Sequence, residues 1–181
     1  MLFKTSKEIA ITALMTALLI VVQYVLSAVK GVELVTVFLL CFAFCFGPLK
    51  GVVCALSFSL LRCFIFGFFP SVLVLYLIYY PSFALTVGLL GKRFKKSKKE
   101  GNLAAYLFAI GVAVLFTMSF TALDNLITAL FFEYSYEAAV AYYIASLPTM
   151  AIQSVCALIS VAVLFYPLTR VFLKIEKNVM R

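Results

Sequence analysis

The chain has no histidine among its 181 residues. That removes the commonest general base, the Ser-His-Asp arrangement and the H-E-x-x-H zinc motif. Neither a G-x-x-x-x-G-K-[ST] loop nor a G-x-G-x-x-G turn occurs, so no nucleotide is bound by those means. Any ATP that drives this protein must be hydrolysed on another subunit. Charge is scarce as well, at 12% of residues against 66% apolar, with a mean hydropathy of +1.17. A soluble domain of this size needs far more polar surface to cover one core. The five cysteines (Cys41, Cys45, Cys54, Cys63 and Cys156) are odd in number and lie in apolar segments, which argues against a disulfide framework. Cys41 and Cys45 share a helix face. With no histidine and no carboxylate at ligand spacing, they read as small packing residues, and neither a metal nor a cofactor is expected. The first apolar run is too long for the core of a cleavable signal, and no A-x-A-like site follows it, so it reads as a retained helix.

What remains is a set of long apolar runs, and runs of about 18 residues or more read as membrane spans. The pattern predicts an all-α membrane protein, a single domain over residues 1–181, built as a bundle of six transmembrane helices. They are expected at Ile9–Val29, Leu34–Phe46, Val52–Phe69, Ser71–Leu90, Leu103–Phe132 and Ala141–Val171. The second is shorter than the roughly 20 residues that a perpendicular span needs. The turn Gly47-Pro48-Leu49-Lys50-Gly51 ends it and suggests an antiparallel hairpin with the third. With the amino terminus inside, thirteen of the fifteen basic residues fall inside: Lys4, Lys7, Lys50, the six between Lys92 and Lys99, Arg170, Lys174, Lys177 and Arg181. Glu33, Glu133 and Glu137 fall outside. The positive-inside rule therefore favours both termini in the cytoplasm. The Lys92–Lys99 cluster is read as a topology signal that also meets anionic lipid headgroups, with no nucleic-acid partner.

Polar groups inside such helices are costly and mark function or internal pairing. Arg62 on helix 3 and Asp124 on helix 5 are the ionisable ones, and mutual neutralisation inside the bundle is one account of them. Thr117, Thr121, Asp124 and Thr128 share one face of helix 5, with Asn125 beside it; helix 6 carries Ser146, Thr149, Gln153 and Ser160; helix 4 presents Tyr76, Tyr79 and Tyr80. At about 1.5 Å per residue, these groups lie at a similar depth in the outer half of the membrane. That level is expected to hold a ligand pocket. Bland alternatives are threonines bonding back to their own helix and tyrosines anchoring at the interface.

Helix 1 carries small residues instead. Ala13 and Ala17 form an A-x-x-x-A pair, with Ala10 a turn earlier on nearly the same face. Such a stripe lets another helix approach closely, either within the bundle or from a partner.

With these residues, with the segment Lys30-Gly31-Val32-Glu33 and the Gly47–Gly51 turn, the chain resembles the substrate-binding S component of an energy-coupling factor (ECF) transporter along its whole length. The resemblance implies a multi-pass protein of a bacterial or archaeal cell membrane, not an enzyme, that captures a vitamin or related micronutrient from outside. It implies docking through the Ala10, Ala13 and Ala17 face onto a membrane coupling subunit carried by two ATP-binding-cassette ATPases, and a toppling motion driven by them. The pocket implied lies in the outer half, in helices 4 to 6 and the helix 1–2 loop, which brings in Glu33 beside Arg62, Tyr76, Tyr79, Tyr80, Thr121, Asp124, Asn125, Thr149 and Gln153. Arg62 is not an obvious feature of that family. The metal-transporting branch uses an amino-terminal histidine, which is absent here. No signature assigns riboflavin, thiamine, biotin or folate. Tyrosines and apolar walls suit a flat, partly aromatic molecule, and Asp124 with Asn125 suit a ring amide or amine. A small intramembrane enzyme using Asp124 as acid or base, and a non-catalytic assembly subunit, are the alternatives.

Overall fold

The computed structural model describes residues 5–28, 34–96 and 103–179. These form six helices and, among the described residues, no strand: α1 (Ser6–Leu26), α2 (Val35–Phe46), α3 (Pro48–Phe66), α4 (Pro70–Lys96), α5 (Leu103–Phe131) and α6 (Tyr136–Val179). All except α2 are long and apolar enough to cross a membrane. Their outward faces fit that setting: Leu14 is 70% exposed and Phe64 75%. Lipid tails accept such side chains where water would not.

The twelve residues of α2 span only about 18 Å. Ten of them are buried, and the helix touches each of the other five. A helix apolar all round belongs in the centre. Enclosed by protein, α2 has no need to match the bilayer thickness. Gly47 makes the turn into α3 with φ +90, a conformation that favours glycine. Helix α3 then starts at Pro48 rather than at the expected Val52, because proline in the first helical position sacrifices no hydrogen bond. Helices α4 and α6 run past the expected Leu90 and Val171, and α6 starts before Ala141. Hydropathy marks where lipid ends, whereas backbone hydrogen bonding continues into polar residues.

The helices alternate in direction. Lys50 Nζ donates to Glu8 Oε1 at 2.7 Å, joining the starts of α1 and α3. Gly88 of α4 packs on the α2–α3 turn so closely that a Cβ there would lie 2.4 Å from Pro48 Cα. Cys45 of α2 reaches the Thr169 carbonyl of α6 at 3.8 Å. One end of the bundle therefore gathers the start of α1, the α2–α3 turn and the ends of α4 and α6. It also carries Lys92, Arg93, Arg170, Lys174 and Lys177 and is here termed the basic end. At the opposite end no residue of α6 from Tyr136 to Gln153 is fully buried, since this stretch leaves the core and leans on α5.

Candidate functional site

Where the far halves of α5 and α6 face each other they leave a cleft of ≈ 290 Å³. Phe120, Thr121, Asp124 and Asn125 line it from α5, and Tyr142, Ala145, Ser146, Thr149 and Gln153 from α6. Helical periodicity explains the lining, because residues three and four apart share a face. Two hydrogen bonds tie the walls together. Asn125 Nδ2 donates to Ser146 Oγ at 2.7 Å, and Thr121 Oγ1 donates to Gln153 Oε1 at 3.4 Å. Ser146 in turn donates to the Tyr143 carbonyl at 2.7 Å. Thr128 stands one turn further along α5 from Asp124, on the same face. The cleft thus offers a carboxylate, two amides and hydroxyls beside the rings of Phe120 and Tyr142. That mixture suits a flat molecule with polar edges.

Arg62, Tyr76, Tyr79 and Tyr80 do not line this cleft. They stand behind it, across Phe120. Tyr79 meets Phe120 at 4.7 Å between ring centroids and Tyr76 at 5.8 Å. Tyr80 packs at 4.9 Å against both Tyr76 and Tyr79. Beyond them the Arg62 guanidinium lies 4.2 Å from the Tyr76 ring centre and 5.3 Å from that of Phe66. Gln23 of α1 donates to the Tyr76 hydroxyl at 3.1 Å. The depth match among α3 to α6 therefore divides into an α5–α6 cleft and an α1–α3–α4 cluster, with an aromatic shelf between them. No ion pair joins Arg62 to Asp124, so the two charges do not neutralise each other. Thr117 and Ser160 are satisfied by carbonyls of their own helices, at 2.8 and 3.1 Å.

On α1, Thr12, Met15, Thr16 and Leu19 face the bundle while Ala10, Ala13 and Ala17 are exposed. Among the described residues, packing within the bundle does not use the small-residue face. Glu33 and Lys30 lie outside the described residues. Gln23, Phe120 and Tyr142 were not singled out from the sequence. Gln23 carried the same signal as Arg62, a polar group inside an apolar run, whereas nothing local distinguishes the two rings from their many aromatic neighbours. Among the described residues no group of histidine, cysteine or acidic side chains is placed to hold a metal ion.

Long apolar helices around a largely buried central one, with a polar cleft at one end, define a multi-pass membrane protein. The chain belongs to the family of ECF-type riboflavin transporter S components, whose family model matches residues 3–170. No curated protein and no solved structure matches it. The protein is accordingly a substrate-binding, non-enzymatic membrane subunit of an ECF-type transporter, acting in vitamin uptake.

Proposed function

We propose that this subunit captures riboflavin, or a close flavin relative, in the α5–α6 cleft. The observation that carries the reading is the pairing of flat rings with amide and carboxylate groups in that cleft, in a chain of this family. A flavin ring is planar and has an imide edge with one N–H donor flanked by two carbonyls. Asp124 accepts from the N–H and Asn125 donates to a carbonyl, while Phe120 and Tyr142 flank the ring system. Thr121, Thr149 and Gln153 are left for the hydroxylated side chain. By the positive-inside rule the basic end lies in the cytoplasm and the cleft opens outward. The exposed Ala10, Ala13 and Ala17 face docks on a membrane coupling subunit driven by two ATP-binding-cassette ATPases, since small residues permit close helix approach.

The test is titration of riboflavin into the purified protein in detergent, read by quenching of flavin fluorescence as the ring stacks on aromatic side chains. Saturable quenching is expected at one equivalent. Asp124→Ala should weaken it by about tenfold or more, the effect of losing one charge-assisted hydrogen bond. A protein that leaves flavin fluorescence unchanged, or an Asp124→Ala variant that binds as wild type, would refute the assignment.

A further inference from the structure

Arg62 places a permanent cation inside the apolar run of α3, and none of the described carboxylates pairs with it. Its guanidinium rests on the Tyr76 and Phe66 rings, but its Nε–H is buried without an acceptor. Gln23, anchored on the hydroxyl of the same tyrosine, buries its Oε1 without a partner as well. Buried polar groups left in this state are costly, and both residues meet the same tyrosine, Arg62 over its ring and Gln23 at its hydroxyl. The oxygen and nitrogen of an amide exchange by a half turn. Tyr76 can then donate to the oxygen while the Gln23 NH₂ takes the place of the unpartnered oxygen, so Gln23 and Arg62 each have an N–H to offer one acceptor-rich group.

Depth identifies that group. Arg62 is one turn from the end of α3 at Phe66, Gln23 one turn from the end of α1 at Leu26, and Tyr76 in the second turn from the start of α4 at Pro70. At about 1.5 Å per residue the cluster lies roughly 5–9 Å below the helix ends, where tails give way to headgroups. Exposed apolar side chains flank it: Tyr24 and Val25 on α1, Phe64 and Ile65 on α3.

We propose that Arg62 and Gln23, held by Tyr76, form a site for the phosphate of a membrane phospholipid in the leaflet opposite the basic end. Its acyl chains lie along the exposed apolar side chains of α1 and α3. The fork of guanidinium N–H groups matches phosphate oxygens, and the apolar flanks favour a lipid over a free anion. The site is separate from the cleft, because the tyrosines of α4 and Phe120 stand between them.

Native mass spectrometry of the purified protein titrated with phosphatidylglycerol tests this, with diacylglycerol as the phosphate-free lipid and inorganic phosphate as the tail-free anion. Wild type is expected to bind one phosphatidylglycerol about tenfold or more tightly than Arg62→Gln, with diacylglycerol binding both proteins alike. Should Arg62→Gln fail to fold, Arg62→Lys keeps the charge but loses the fork and is expected to weaken binding several-fold. Equal phosphatidylglycerol binding by wild type and the folded variant overturns the site. Inorganic phosphate binding as tightly as the lipid would assign it to a free anion and overturn the lipid reading.

Discussion

Replacing Glu8 by leucine strands the Lys50 ammonium at the contact between α1 and α3. The two groups meet at 2.7 Å with side chains only 11% (Lys50) and 6% (Glu8) exposed. Breaking such a pair costs about 3–5 kcal/mol, because the surviving charge keeps its desolvation penalty and loses its partner. Lys50 sits in the first turn of α3, and its flexible stem can carry the ammonium toward water, so the lower figure of about 3 kcal/mol applies. At roughly 2–4 °C per kcal/mol for a chain of this length, the melting temperature should fall by about 6–12 °C. Combining Glu8→Leu with Lys50→Met removes both charges and keeps most of the volume. The double variant should recover nearly all of the wild-type stability, since a buried pair gains little over well-packed apolar replacements. The cysteines provide the assay. Cys41, Cys45, Cys54 and Cys63 are buried, so a thiol-reactive dye reports unfolding as the detergent-solubilised protein is heated. Cys54 accepts from the Thr16 hydroxyl at 3.5 Å in this same contact, which makes it a local reporter. An unchanged melting temperature for Glu8→Leu, or a double variant that melts as low as the single one, would refute the reasoning.

Three further outcomes follow from packing. Tryptophan at both Ala13 and Ala17 adds bulk to an exposed face, so flavin binding should be retained while flavin uptake by cells carrying a coupling module falls to background; undiminished uptake would exclude this face as the dock. Gly88→Ala sets a Cβ 2.4 Å from Pro48 Cα and should destabilise by about 1–3 kcal/mol in the dye assay, because backbone cannot yield as a side chain does. Gly111→Ala meets nothing within 4 Å and should be neutral or slightly stabilising, by up to about 1 kcal/mol.

Hydropathy located five of the helices because each must show apolar side chains to lipid around much of its circumference, a requirement written locally in the sequence. Helix α2 satisfied a different requirement. Val35–Phe46 is apolar all round and short, which read as a weak span; enclosure by five neighbours explains both properties. No local pattern separates a lipid-exposed helix from a protein-enclosed one, since both surroundings are apolar. The outward faces of Ala10, Ala13 and Ala17 were hidden for a similar reason. A small-residue stripe fits any close neighbour, and only the burial of Thr12, Met15, Thr16 and Leu19 shows which side the bundle takes.

The cleft was legible one helix at a time. The spacing of Thr121, Asp124 and Asn125, and that of Thr149 and Gln153, placed each set on one face, and the structure turns those faces toward each other. Depth along the membrane normal also grouped Arg62, Tyr76, Tyr79 and Tyr80 with them, but depth carries no azimuth. Residues at one level on different helices can point into different sectors, and Phe120 stands between the two sectors here. The same distinction governs α1. Glu8 points into the bundle while Ala10, two residues on and about 200° round the helix, points out, so the two variant sets probe opposite faces of one helix. Glu8→Leu should lower the melting temperature through α3, whereas the tryptophans at Ala13 and Ala17 meet only the surroundings and should leave it nearly unchanged. Melting and uptake are therefore expected to separate. If the tryptophan variant also melted early, the alanine face would be bearing on the bundle itself, and its assignment as a dock would lose its physical ground.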